Sequence, residues 1–337
     1  MKIKIINKYQ KVFKTALLGL VCSVSLGANV TTAHAASNYA QRADVKSFID
    51  EMVSKHGFNR TYLEKKFAGA KRLDNVLESI AKPAEKELTW KQYRPIFVTK
   101  NRSSKGKIFI KQNRAILERA EKEYGVPLEI IAAIIGVETY YGRHTGKYTV
   151  FDSLTTLGFD YPPRAKFFKS ELKQFLLLSK EENIDIDTMT GSYAGAMGMP
   201  QFISSSYRHY AVDFDGDGKR DLWNSIEDVI GSVANYFSEH GWKKGMKITH
   251  PVTLTNKSAV LKDNKLKPYI SVDELRKKGV RINASIDGKQ MASLFKFKGK
   301  RGDEYWIGLK NFYVITRYNH SELYAMAVFQ LSEKLED

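Results

Sequence analysis

One segment of the 337-residue sequence is apolar on nearly every face of a helix. Pro127 suits the first turn of a helix, and the following run from Ile130 to Val137 contains no charged side chain. A helix without a polar face has to be buried on all sides, so this run predicts the centre of a folded core. Glu138 ends the run, and we expect the helix to carry its carboxyl group to the C-terminal end.

Glu138 is a candidate general acid because of this position. Burial disfavours the charged form of a carboxyl group, and the negative C-terminal end of a helix dipole disfavours it again. Both effects raise the pKa of a glutamate towards neutral pH, which suits proton donation in catalysis. The alternative is a helix-ending glutamate that turns to solvent.

The N-terminus predicts export. Residues 1–15 are rich in lysine, residues 16–26 are apolar, and Ala-His-Ala precedes position 36, as in a signal peptide cleaved after residues 1–35. Cys22 is the only cysteine, which excludes an intramolecular disulfide and a site built from several cysteines. We expect a periplasmic protein. An outer-membrane lipoprotein acylated at Cys22 is the less favoured alternative, since Val21 is larger than the residue usual before such a cysteine.

The chain is strongly basic. It has 54 lysines and arginines against 37 acids, and 49 against 37 remain without residues 1–35, which contain five lysines and no acid. Such a surface favours a polyanionic partner. Export makes the cell wall or a membrane the expected partner, and we expect no binding to nucleic acid.

A second segment is unusually rich in small residues. Gly191, Gly195 and Gly198 allow a close approach of the backbone to a ligand, and Gln201 and Phe202 offer an amide and an aromatic ring suited to a sugar. A tight crossing of two helices would use small residues in the same way.

These two segments and four further motifs together resemble lytic transglycosylases of the membrane-bound lytic transglycosylase B group, which have a lysozyme-like fold. The motifs that carry the resemblance are Tyr93-Arg94-Pro95, Gly136-Val137-Glu138-Thr139, Pro163-Arg164-Ala165, Ala194-Gly195-Ala196-Met197-Gly198 with Gln201-Phe202, Ala234-Asn235-Tyr236-Phe237, and Arg317-Tyr318-Asn319. They extend over most of the chain after residue 35.

The resemblance implies cleavage of the MurNAc–GlcNAc β-1,4 bond of peptidoglycan with formation of 1,6-anhydroMurNAc ends. It implies that Glu138 is the single acid and then base, that Ser192 donates a hydrogen bond to it, and that no organic cofactor takes part. It also places seven residues along the glycan groove, namely Tyr93, Arg164, Gln201, Phe202, Tyr236, Tyr318 and Tyr324. Cell-wall synthesis proteins are further possible partners.

Two other functions stay open at this stage. Hydrolysis by a muramidase needs a second carboxylate, which Asp152 or Asp160 would supply. A peptidoglycan-binding module without catalysis would keep the groove but would not cleave the substrate.

Residues 213–224 resemble a calcium loop of the EF-hand type. Asp213, Asp215 and Asp217 stand at positions 1, 3 and 5, glycine follows at position 6, and position 7, Lys219, would offer its backbone carbonyl. Position 12 is asparagine, so the closing carboxylate has to come from Glu227 or Asp228, and the family resemblance favours Glu227. A solvated acidic turn is the alternative to a structural calcium site.

We therefore predict an α+β fold that is mainly α. The predicted parts are a signal peptide (1–35), an N-terminal helical domain completed by the chain end (36–117), a lysozyme-like catalytic core with the EF-hand-like loop (118–245), a small β domain (246–300) and a C-terminal return to the core (301–337). Within these parts we expect irregular structure from Tyr93 to Lys107 and an extended segment from Phe312 to Ile315.

Overall fold

Helices make up most of the chain in the computed structural model, which describes residues 38–81, 88–255 and 265–336. The predicted signal peptide and Cys22 lie outside the described residues. The α-helices of the described part are α1 (Ala43–His56), α2 (Arg60–Gly69), α3 (Asp74–Ala81), α4 (Trp90–Phe97), α5 (Lys100–Gln112), α6 (Arg114–Tyr124), α7 (Leu128–Thr139), α8 (Val150–Asp160), α9 (Ala165–Glu181), α10 (Ser204–Tyr210), α11 (Ile226–Glu239), α12 (Val272–Lys277), α13 (Lys310–Tyr318) and α14 (Glu322–Ser332). Within that part, no helix has the length and apolar character needed to cross a membrane.

Helix α7 is the buried centre that the apolar run predicts. Its residues Ile130 to Val137 are at most 6% exposed. Helices α5, α6, α11 and α14 all pack against it, so both early and late parts of the chain surround it. Burial of each leucine or isoleucine side chain stabilises the fold by about 1.5–3 kcal/mol, and this helix therefore contributes strongly to stability.

The end of α7 is shaped by a tight aromatic turn. Tyr140 and Tyr141 both have left-handed backbone angles, with φ values of 55° and 60°. The Tyr141 ring packs over Gly136 of α7 and Gly106 of α5, where an added Cβ would lie 2.6 Å and 2.2 Å from the Tyr141 hydroxyl. Glycine is required at both positions because a larger residue would displace this ring.

The strands form two antiparallel sheets. A two-stranded sheet pairs β1 (Tyr148–Thr149) with β2 (Thr190–Gly191), and the register places Tyr148 opposite Gly191. A five-stranded sheet has the order β4-β6-β7-β3-β5. Its strands are β3 (Thr249–Leu254), β4 (Ile270–Ser271), β5 (Val280–Arg281), β6 (Met291–Gly299) and β7 (Gly302–Gly308).

Strand β6 joins two apolar clusters. Side chains alternate between the faces of a strand, and both faces of β6 are buried. Ala292 and Leu294 face a small cluster built from residues 252–309. Phe295 and Phe297 belong to the main helical core, where Phe297 lies 5.6 Å from the ring of Trp90.

Two local predictions are wrong. The segment from Phe312 to Ile315 is helical within α13, although its aromatic and β-branched residues favour a strand. Packing overrides that preference, since the Phe312 ring lies 5.0 Å from Phe295 and the buried Asn311 amide donates to the carbonyls of Lys243 and Met246. Residues 93–97 and 100–107 are helical as well, in α4 and α5, and a capping box of Thr89 and Gln92 starts α4.

Candidate active site

Glu138 and Tyr324 are joined at the centre of the candidate site. The half-buried Glu138 stands one residue before the end of α7, and Tyr324 stands in the first turn of α14. The Tyr324 phenol donates a hydrogen bond to Oε1 of Glu138 at 2.5 Å. Burial, followed by the negative charge of Glu138, raises the pKa of Tyr324 well above its usual value of 10. The phenol therefore remains a proton-bearing donor at physiological pH.

A layer of aromatic rings supports this pair. The Tyr318 ring is stacked on the Tyr324 ring with centroids 6.5 Å apart and an interplanar angle of 13°. Phe202 and Tyr236 pack against Tyr318, with ring centroids 5.7 Å and 4.8 Å away. Tyr93 on α4 belongs to the same core and interacts electrostatically with Tyr324. The structure thus brings together five predicted site aromatics around Glu138.

Hydrogen bonds hold these rings to the backbone. The Tyr318 hydroxyl donates to the Pro200 carbonyl at 2.6 Å, and the Tyr236 hydroxyl donates to the Arg317 carbonyl at 2.6 Å. Phe202 is only 2% exposed and lies behind the tyrosines. These contacts fix the orientation of the aromatic layer, most of which is buried.

Thr139 connects the end of α7 to the small-residue loop. Its hydroxyl donates to the Met199 carbonyl at 2.9 Å and accepts the N–H of Gly142 at 3.0 Å. The backbone next to Glu138 is therefore held from both sides. Thr139 is not among the predicted site residues, although its place directly after Glu138 is a usable signal.

Ser192 and Gln201 shape the small-residue loop itself. Ser192 Oγ accepts the N–H groups of Ala196 at 3.0 Å and Ala194 at 3.3 Å, which leaves its own proton available for donation. The Gln201 amide nitrogen donates to the carbonyls of Gly198 at 2.9 Å and Thr145 at 3.0 Å. Gln201 has a left-handed φ of 53°, so its backbone is bent to make these contacts.

Arg164 lies at the start of α9 and is exposed. Its guanidinium lies over the ring of Phe167, 4.3 Å from the ring centroid. Its ring contacts, with Phe167 and Phe168, lie within the first turn of α9 and do not connect it with the Glu138 cluster.

Both acids that were candidates for a second carboxylate are held by other parts of the chain. Asp152 is 9% exposed and accepts the N–H of Lys71 at 2.9 Å. Asp160 accepts a hydrogen bond of 2.5 Å from the Tyr39 phenol and another of 2.5 Å from Arg42. These acids stabilise the packing of α8 against the N-terminal segment.

The acidic loop that follows α10 gathers three carboxylates. Ligand oxygens of Asp213, Asp215 and Asp217 all lie within 4.8 Å of one another, and the three residues are exposed. Oδ2 of Asp213 accepts the N–H of Gly218 at 2.8 Å, and Gly218 has the left-handed φ of 89° that this turn requires. Clustered carboxylate oxygens are the ligands that Ca²⁺ prefers, so the residues fit the predicted metal.

Asp228 has a different role from that of a metal ligand. It is completely buried, and its two oxygens accept the N–H groups of Phe214 at 2.6 Å and Asp221 at 2.7 Å. Burial raises the pKa of Asp228. Since both oxygens already bind the backbone of the loop, Glu227 is the better candidate for the closing ligand.

Comparison with known proteins gives the family. Residues 40–333 match the family model of the transglycosylase SLT domain. The chain is 44% identical over 305 residues to the membrane-bound lytic murein transglycosylase B of Escherichia coli, covering 88% of this chain and 83% of the relative. The chain belongs to the lytic transglycosylase family. The resemblance found in the sequence and the predicted enzyme class are confirmed.

Solved structures of lytic transglycosylases share the fold. A catenated lytic transglycosylase of Pseudomonas aeruginosa is 49% identical, with a TM-score of 0.85 and coverage of 88% of this chain and 98% of the other. An E. coli lytic transglycosylase in complex with calcium is 45% identical, with a TM-score of 0.82 and coverage of 88% and 94%. The predicted mainly helical, lysozyme-like fold is confirmed.

A third relative was solved with ligands. This P. aeruginosa protein, in complex with NAG-NAM-pentapeptide, is 31% identical to the transglycosylase described here, with a TM-score of 0.76 and coverage of 86% and 78%. It was also solved with NAG-anhNAM-pentapeptide, at a TM-score of 0.73.

Proposed function

We propose that this lytic transglycosylase cleaves the MurNAc–GlcNAc β-1,4 bond of peptidoglycan and leaves 1,6-anhydroMurNAc ends. Glu138 acts first as the acid and then as the base. The relative solved with NAG-NAM-pentapeptide and with NAG-anhNAM-pentapeptide supports both the substrate class and the anhydro product.

The reaction proceeds in two proton transfers. Protonated Glu138 gives its proton to the glycosidic oxygen while the bond from that oxygen to C1 of the muramic sugar breaks. The acetamido group of the sugar stabilises the positive charge at C1. The C6 hydroxyl of the same sugar then bonds to C1, and its proton returns to the Glu138 carboxylate. No water is consumed, and Glu138 ends in its starting state.

The contact between Tyr324 and Glu138 is the observation that carries this proposal. Because Oε1 accepts the hydrogen bond from Tyr324, Oε2 is the oxygen that carries the transferable proton. The phenol also restricts rotation of the carboxyl group, which keeps the acid in the geometry that proton transfer needs.

The placement of other acids favours transglycosylation over hydrolysis. A hydrolytic mechanism of the usual kind needs a second carboxylate beside the scissile bond. Asp152 and Asp160 bind Lys71, Tyr39 and Arg42 instead. These contacts place both acids against the N-terminal segment and not against Glu138.

We propose that Ser192 donates a hydrogen bond to Glu138. Six further residues form the glycan groove together with Tyr324. Two of the six, Phe202 and Tyr236, act indirectly through the aromatic layer that they support. The six are Tyr93, Arg164, Gln201, Phe202, Tyr236 and Tyr318. The Thr139 hydroxyl binds the Met199 carbonyl of the small-residue loop, so this loop lies at the end of α7 next to Glu138, which favours these roles.

We also propose a structural calcium site in the acidic loop. Asp213, Asp215, Asp217, the carbonyl of Lys219 and Glu227 would hold the ion, which would tie the loop to α11. The calcium complex of the E. coli relative and the clustered carboxylates support this assignment.

The predicted leader and the predicted partners belong to the same proposal. Residues 1–35 direct export, the mature protein works in the periplasm, and cell-wall synthesis proteins are its protein partners, with no nucleic acid. Our division is into residues 36–117, 118–245, 246–300 and 301–337. The separate apolar cluster inside residues 252–309 supports a small β domain, which continues past residue 300 because β7 pairs with β6.

Mass spectrometry of fragments released from purified peptidoglycan tests the proposal. We expect the mature protein to release muropeptides with anhydromuramic ends, which are lighter by one water than reducing ends. Release of reducing ends would show that the enzyme is a hydrolase and that a second carboxylate takes part. Binding without release would show a peptidoglycan-binding module.

A further inference from the structure

Thr139 directly follows Glu138 at the end of α7 and carries a buried hydroxyl. The residue is only 1% exposed. Its hydroxyl donates to the Met199 carbonyl at 2.9 Å, the shorter of its two carbonyl contacts, since the Ile135 carbonyl lies at 3.3 Å. The same oxygen accepts the N–H of Gly142 at 3.0 Å. One side chain therefore joins the end of α7, the turn that follows it and the small-residue loop.

The turn that Thr139 closes is strained. Tyr140 and Tyr141 both have left-handed backbone angles, which cost free energy in residues with a Cβ. Such strain persists only where the surrounding contacts hold it in place. Thr139 supplies two of these contacts, because its hydroxyl accepts the Gly142 N–H and its carbonyl accepts the N–H of His144 at 3.0 Å. The path of the chain beyond α7 therefore depends on this residue.

The carbonyl to which Thr139 is tied has anchors of its own. The N–H of Met199 donates to the carbonyl of the fully buried Leu222 at 2.9 Å. The following residue, Pro200, accepts the Tyr318 hydroxyl at its carbonyl. Met199 is thus held from two directions without help from Thr139, and it forms a fixed point for the end of α7.

We propose that Thr139 is a positioning residue for the reaction. Its hydroxyl keeps the Glu138 carboxyl group in register with Ser192 and Tyr324. The proposal rests on the proposed function, since it takes Glu138 to be the acid and the base. Tyr324 belongs to α14 and Ser192 to the small-residue loop, so their distances to Glu138 depend on where α7 ends. A displacement of about 1 Å at a reacting group can lower a rate about 10²-fold.

The hydroxyl and the packing of Thr139 make opposite predictions for two substitutions. Thr139→Val keeps the shape of the side chain but removes both the donor and the acceptor. Thr139→Ser keeps the donor and the acceptor and removes one methyl group. A positioning role requires that Thr139→Ser be the milder change, whereas a role in packing alone requires that Thr139→Val be the milder one.

Steady-state kinetics on purified glycan strands test the proposal. We expect Thr139→Val to lower kcat about 10- to 100-fold, because Glu138 is misplaced. KM should stay within about twofold of the wild-type value, because the aromatic layer keeps its own hydrogen bonds to the backbone. Thr139→Ser should keep kcat within about threefold of the wild-type value.

Thr156→Val is the matched control. Thr156 is fully buried in α8, and its hydroxyl accepts the N–H of Leu73 at 3.1 Å and donates to the Lys71 carbonyl at 3.3 Å. It therefore joins two segments of the chain as Thr139 does, but next to the N-terminal segment. We expect Thr156→Val to lower the melting temperature and to leave kcat unchanged.

Amide hydrogen exchange tests the structural part without catalysis. The Gly142 N–H should exchange faster in Thr139→Val and at the wild-type rate in Thr139→Ser. If Thr139→Val does not fold, Thr139→Cys takes its place, since a thiol is only a weak donor and acceptor. We then expect a kcat below that of Thr139→Ser.

The proposal is overturned by a wild-type kcat in folded Thr139→Val or Thr139→Cys, and by an equal loss of kcat in Thr139→Ser or in Thr156→Val. A change in KM alone would also overturn it, because it would assign Thr139 to substrate binding. Unchanged exchange of the Gly142 N–H in Thr139→Val would have the same consequence.

A double variant separates this proposal from the proposed function. In the Glu138→Gln background, Thr139→Val should cause no further loss of turnover, since the group that Thr139 positions no longer transfers a proton. A further loss of about tenfold would contradict the proposal. Full activity of Glu138→Gln alone would overturn the proposed chemistry, while the exchange of the Gly142 N–H would still decide whether Thr139 holds the turn.

Discussion

The phenol of Tyr324 donates to Oε1 of Glu138 at 2.5 Å across 186 positions of sequence. Glu138 comes from the buried helix α7, and Tyr324 comes from helix α14 near the end of the described chain. Helix α14 packs on α7 and on α4, so this late segment of the chain supplies part of the site. This relationship leads to the first two predictions.

Glu138→Gln removes the transferable proton but keeps the shape and the acceptor oxygen of the side chain. We expect turnover to fall about 10²–10⁴-fold, the range for loss of general acid–base catalysis, with an unchanged melting temperature. Release of anhydro ends from peptidoglycan measures turnover. Activity close to that of the wild type in a folded variant would refute the role of Glu138.

Tyr324→Phe removes the donor to Glu138 and leaves the ring stacked on Tyr318. We expect kcat to fall about 10- to 100-fold because the carboxyl group loses its orientation. Tyr39→Phe is the matched control, since Tyr39 donates a bond of the same length to Asp160, far from the site in sequence. An equal loss of kcat in both variants would show a general effect of removing a buried hydroxyl.

The closing ligand of the acidic loop can be found with two neighbouring variants. Glu227→Gln should reduce only the stabilisation that added calcium gives, which is about 2.7 kcal/mol for the wild type at 100 times the dissociation constant. Asp228→Asn should destabilise the protein by about 1–3 kcal/mol with or without calcium, because it leaves a loop N–H unpaired. Thermal melting with calcium and with a chelator measures both.

The control for these variants is Asp287→Asn, an exposed aspartate that caps a turn elsewhere. It should leave the calcium response unchanged. If the wild-type melting curve does not respond to the chelator, the acidic loop is a solvated turn.

Gly136→Ala should destabilise the protein by about 1–3 kcal/mol through overpacking. The new Cβ would lie 2.6 Å from the Tyr141 ring and would push the turn after Glu138 out of place, so activity should fall as well. Gly69→Ala is the control, since no atom lies within 4 Å of a Cβ there, and we expect it to be neutral or stabilising by about 0.5–1 kcal/mol. Urea unfolding compares the two, and equal stabilities would contradict the packing argument.

Buried tyrosines make the protein unstable at high pH. Burial first, and then the charge of Glu138, raises the pKa of Tyr318 and Tyr324 well above 10. Above pH 10 the unfolded state loses these protons and the folded state keeps them, so the free energy of unfolding falls as the pH rises. The expected slope is about 1.4 kcal/mol per pH unit for each such tyrosine.

Urea unfolding between about pH 8 and pH 11 measures this slope. Tyr324→Phe should reduce this slope by about 1.4 kcal/mol per pH unit, which corresponds to one proton. An unchanged slope in that variant would show that Tyr324 ionises equally in both states.

Much of the candidate site can be predicted from local patterns in the sequence. The apolar run before Glu138 predicted the buried helix, because a helix without a polar face has one stable environment. The spacing of Asp213, Asp215 and Asp217 predicted their convergence, because a calcium loop is a local structure with its ligands close in sequence. The family motifs then gave the class of enzyme.

Local pattern was a poor guide where distant contacts decide conformation. The segment from Phe312 to Ile315 has strand-forming residues but is helical, since the helix lets Phe312 reach Phe295. Asp152 and Asp160 looked like partners for Glu138, and their contacts with Lys71, Tyr39 and Arg42 depend on how the N-terminal segment packs.

The sequence by itself determines the buried helix, its terminal glutamate and the acidic loop. Each of these features depends on neighbours within about a dozen positions. Long-range packing alone placed Tyr324 on Glu138, committed Asp228 to the loop backbone and brought Met199 to Thr139. The physical reason is that a hydrogen bond requires atoms in contact, and sequence spacing controls such contact only within one helix, strand or turn.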